Sequence, residues 1–132
     1  MIKDLWDIAQ SLIGLKKSFA DAEREQKDRI ATYFEKIGSI IQEAADIFKT
    51  GEVPHGKCQQ MFEHAQYFID VVGDTIDKQK AEEFQKKLIE SHEVELLASE
   101  ILGQDESEEK IAELEKIAGS FLTLGSVIRA KK

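Results

Sequence analysis

Apolar residues recur every three or four positions through almost the whole chain, and Pro54 is the only proline among 132 residues. This spacing keeps one face of an α-helix apolar. A sheet would need alternation at every second residue and a turn signal about every 8 to 12 residues. The expectation is an all-α fold, an antiparallel helical bundle of about five helices in one domain spanning residues 1–132. A chain of this length buries roughly two-thirds of the surface its unfolded form exposes, enough for one core.

The first stretch carries Leu5, Ile8, Leu12, Leu15 and Phe19 on one stripe, with Ile2, Trp6, Ala9 and Ile13 beside it. So wide an apolar face is unfavourable in water. Leu5, Trp6, Ile8, Leu12, Leu15 and Phe19 are therefore a candidate interaction surface, and residues 1–19 a candidate interaction helix. The partner expected on it is a second copy, giving a two-fold homodimer, the commonest closed assembly. The competing expectation is that this helix packs as one more stave of its own bundle. The polar decade from Ala20 to Arg29 leaves open whether the helix breaks near residues 18–21, where Ser18 or Asp21 could cap a new start.

Ile30, Phe34, Ile37, Ile41, Ala44 and Phe48 then step by four and three, predicting a helix over about 21–50 that stops at Gly51 and Pro54. A third helix is expected over 56–72 from Cys58, Met61, Phe62, Ala65, Phe68, Ile69 and Val72, ending at Gly73. Asp74 is placed to cap a fourth, built on Ile76, Ala81, Phe84, Leu88 and Ile89, which bends near Ser91 and runs on to Gly103. Asp105 and Glu108 have the capping-box spacing, so residues 103–107 are expected to form an exposed loop. Leu114, Ile117, Phe121, Leu124 and Ile128 hold a heptad spacing to the chain end.

The net charge of −8 is unevenly placed: residues 88–109 hold eight carboxylates and no Lys or Arg. Such a field repels phosphate backbones, so nucleic acid is not an expected partner, whereas a basic protein is a possible one. No apolar run approaches the roughly 18 residues that cross a bilayer, and no membrane role is expected. Asp4 and Asp7 stand where a signal peptide would be basic, and the lone Cys58 has no intramolecular disulfide partner. Both point to a cytoplasmic address.

Uncommon residues gather once, in residues 51–58, where His55 and Cys58 have a ligand-like H-x-x-C spacing and His64 follows on the next helix. One cysteine and three histidines are a poor supply for a structural zinc site, which takes four ligands. A nucleophilic Cys58 would need an orienting group and an oxyanion site that no motif announces. No E-x-x-H di-iron motif, phosphate-binding glycine loop or H-E-x-x-H is present. No cofactor is expected, no metal at His55 and Cys58, and no catalytic residues. Phe34, Phe48, Phe62, Phe68, Phe84 and Phe121 read as core.

The G-E-V-P-H-G-K-C run of residues 51–58, with Tyr33, Phe34 and Ile37 before it, resembles a group of small helical domains found in bacteria, especially cyanobacteria, that have no established activity. The likeness spans about residues 30–102. It implies a helical adaptor or regulatory module and carries no catalytic residues with it. The function expected is thus a non-enzymatic protein-protein interaction or regulatory module. The alternative is a small-molecule- or metal-binding bundle centred on His55, Cys58 and His64.

Overall fold

The computed structural model describes residues 2–90, 94–102 and 107–130, without the side chains of 94–97. Those residues form eight helices and no strand: α1 (Ile2–Gly14), α2 (Lys16–Ala20), α3 (Arg24–Lys49), α4 (His55–Ala65), α5 (Phe68–Val72), α6 (Lys78–Glu90), α7 (Val94–Leu102) and α8 (Ser107–Ala130). The expected all-α class holds. The count exceeds five because the first and third expected stretches are each divided, and because residues 91–93, between α6 and α7, lie outside the described residues.

Helices α3 and α8 are the longest and the most extensively packed pair. They run antiparallel, since Ala31 of α3 faces Gly125 of α8 while Gly38 faces Ala118 and Leu122. A Cβ on Gly38 would lie 2.8 Å from Leu122 Cγ and 2.9 Å from the Ala118 carbonyl oxygen; one on Gly125 would lie 2.8 Å from the Ala31 oxygen. The backbones approach so closely because small residues stand seven apart on both helices: Ala31, Gly38 and Ala45 on α3, Ala118 and Gly125 on α8, all buried. Side-chain contacts flank this seam. Gln42 and Lys49 each donate to Glu115 at 3.1 Å, and Arg129 donates to Glu35 at 2.5 Å and to Thr32 at 3.0 Å. Apart from the partly buried Gln42–Glu115 bond these contacts are exposed, and they add little stability.

Leu114, Ile117, Phe121, Leu124 and Ile128, the heptad series, are all buried on α8. Phe34 is the hub of the core: its ring centroid lies 5.2 Å from Phe19, 6.3 Å from Phe121 and 6.5 Å from Phe68, and Phe84 meets Phe68 edge-on at 6.1 Å. Phe62 departs from expectation and is exposed. On α4 the inward positions are Cys58, Met61 and Ala65, and a residue next to Met61 is turned by about 100° from it.

The stripe of α1 faces inward. Leu5, Ile8, Leu12 and Phe19 are at most 2% exposed within one chain, covered by α8 and α6. This corrects the expectation that they form a surface for a second copy: the uncovered stripe that motivated a dimer does not exist, and α1 is a stave of its own bundle. The helix does break, at Leu15 and again over residues 21–23. Leu15 and Glu23, which precede α2 and α3, make no side-chain cap bond, and neither Ser18 nor Asp21 is the cap.

Gly51 ends α3 with φ at 83°, the left-handed conformation that favours glycine at a helix stop. The expected 56–72 helix breaks after Ala65, and two distant side chains stabilise the break. The Tyr33 hydroxyl of α3 donates to the carbonyl of His64, and Gln85 Oε1 of α6 accepts the Ile69 amide at 3.1 Å. Ahead of α6 the capping residue is Asp77, whose carboxylate accepts the Lys80 amide at 3.4 Å, rather than Asp74. The bend expected near Ser91, the 103–107 loop (apart from Ser107) and the Asp105 half of the capping box lie outside the described residues.

Candidate functional site

The 51–58 segment is a connection, and its uncommon residues do not converge. Pro54 is buried, its carbonyl oxygen accepting the Cys58 amide at 3.0 Å as α4 starts. His55 is exposed, whereas Cys58 is 5% exposed and faces Met61, Leu5 and Leu114 across a crevice of about 10 Å³. That is barely room for one water, so no ligand fits beside the thiol. Burial pushes the Cys58 thiol up to about 11, which keeps it protonated and unreactive at neutral pH. His64 is partly buried six residues beyond Cys58, its backbone oxygen held by the Tyr33 hydroxyl and by the Tyr67 amide at 3.1 Å. Burial likewise raises the Tyr33 phenol above its usual range. Among the described residues no three of His, Cys, Asp and Glu gather as a metal would require.

Two wider concavities are among those that open between the described residues. The wider, about 790 Å³, opens at the turn between α2 and α3 beside the end of α8, walled by Arg24, Lys27, Arg129, Asp21 and Asp28 with only Ala20 and Ala22 as apolar lining. Its Arg129 is already engaged by Glu35 and, at 3.6 Å, by Asp28. Charges of both signs line this open cleft, and no large apolar side chain stands among them to anchor a ligand.

The second concavity is a groove of about 440 Å³ lined by residues of α1 and α8 and by Glu100 of α7. Trp6 is the exposed apolar side chain of its lining, set over the buried Ile2 and Ile117, and Lys3, Lys110, Glu113 and Lys116 complete the lining. Helix geometry explains the arrangement. With Leu5, Ile8 and Leu12 turned into the core, Trp6 lies about 100° round the helix from Leu5, at the boundary between core and solvent. Lys3, three residues before it, shares that side. Glu100 holds the start of α1, its carboxylate accepting the Ile2 amide at 3.4 Å.

Of the six residues expected to form an interaction surface, Leu5, Ile8, Leu12 and Phe19 are core, Leu15 is half-buried, and Trp6 alone is widely exposed, at 40%. The lysines of the groove had no signal of their own in the sequence, because three come from two helices more than 100 residues apart. Compared with known proteins, the chain matches no family model, no curated protein and no solved structure. Among the described residues, no helix is long and apolar enough to cross a membrane.

Proposed function

We propose that this chain is a non-enzymatic helical interaction module that docks a partner protein in the groove around Trp6. It works in the cytoplasm, a reducing compartment in which the one thiol stays unbridged. The observation that carries this reading is Trp6 itself, 40% exposed on the wall of a groove whose other apolar lining, Ile2 and Ile117, is buried. Single exposed apolar residues are ordinary on any surface. A tryptophan in a concavity with a charged rim is different, because tryptophan is among the side chains that dominate binding energy when a partner excludes water around it. A chemistry centred on His55, Cys58 and His64 has less support, since the thiol is buried and His55 points to solvent.

The test is photo-crosslinking in cells of the source organism, with p-benzoylphenylalanine placed at position 6 or, as a control, at the exposed position 36 on α3. A discrete protein adduct from position 6 and none from position 36 is the expected result. Equal adducts from both positions, or none from position 6, would contradict the reading.

A further inference from the structure

We draw no further inference here: the strongest candidate, the concavity around Trp6 lined from α1, α7 and α8, carries Lys3, Lys110 and Lys116 beside Glu100 and Glu113, so its charge selects no ligand and nothing in the structure shows what covers it.

Discussion

A methyl group added at Gly38 has nowhere to go, because the α8 backbone stands 2.9 Å from where it would sit. Gly38→Ala and Gly125→Ala are each expected to destabilise the protein by about 1–3 kcal/mol through overpacking. Gly119, on the same helix as Gly125, has open space around its absent Cβ. There an alanine is expected to stabilise by about 0.5–1 kcal/mol, by the lower entropy cost of a helical residue with a side chain. Urea denaturation of the three variants separates the close approach from a general effect of glycine; equal shifts would contradict it. Cys58 gives a second residue-level test. Its thiol is held up to about 11 in the folded state, against about 8.5 for an exposed thiol. The unfolded chain therefore ionises first as the pH rises. The thiol's contribution to stability is intact below about pH 8.5 and is lost between there and about 11. Maleimide labelling at pH 8 is expected to be slow in the folded protein and fast in urea, and Cys58→Ala is expected to flatten the alkaline decline in stability. Rapid labelling without denaturant would place the thiol in solvent.

Among the elements, the break between α4 and α5 is the least local. Its amides and carbonyls are satisfied by Tyr33, 31 residues before His64, and by Gln85, 16 residues after Ile69. Gln85→Ala leaves the Ile69 amide without its acceptor in a partly buried position, and is expected to cost about 1–3 kcal/mol in urea denaturation. A neutral effect would mean that water replaces Gln85 at no cost. The same break shows where sequence reading stops. Periodicity located α3 and α8 and their buried faces, because a stripe at three-and-four spacing is a local property. It ran through residues 66 and 67 because Phe68 and Val72 continue the stripe of Met61 and Ala65, and nothing nearby marks an interruption bonded from α3 and α6. The stripe on α1 was legible too, but its cover was not. Apolar spacing shows that a face must be buried and is silent on which surface buries it. The groove was half legible for the same reason: Trp6 was one of six residues expected to meet a partner, while Lys110 and Lys116 join it only through the packing of α1 on α8.

At the scale of the whole molecule, α1 and α2 are part of the bundle, and the core around Phe34 is incomplete without Phe19. Removing residues 1–19 takes away the buried side chains of Leu5, Ile8, Leu12 and Phe19, worth about 6–12 kcal/mol together. A domain has about 5–15 kcal/mol of net stability in all. A chain beginning at Ala20 is thus expected to lose cooperative thermal unfolding by circular dichroism, whereas an interaction arm could be cut away with the melt unchanged. With its stripe committed to the core, α1 presents Trp6 and Lys3 to the groove instead, and the central claim is that a partner covers them there. The most direct measurement adds the purified protein captured at position 6 to the unmodified chain and follows Trp6 emission and its quenching by acrylamide, with binding established independently by calorimetry. The account predicts a shift to the blue and loss of quenching as the partner saturates. Binding that leaves both the emission and the quenching of Trp6 unchanged would contradict it.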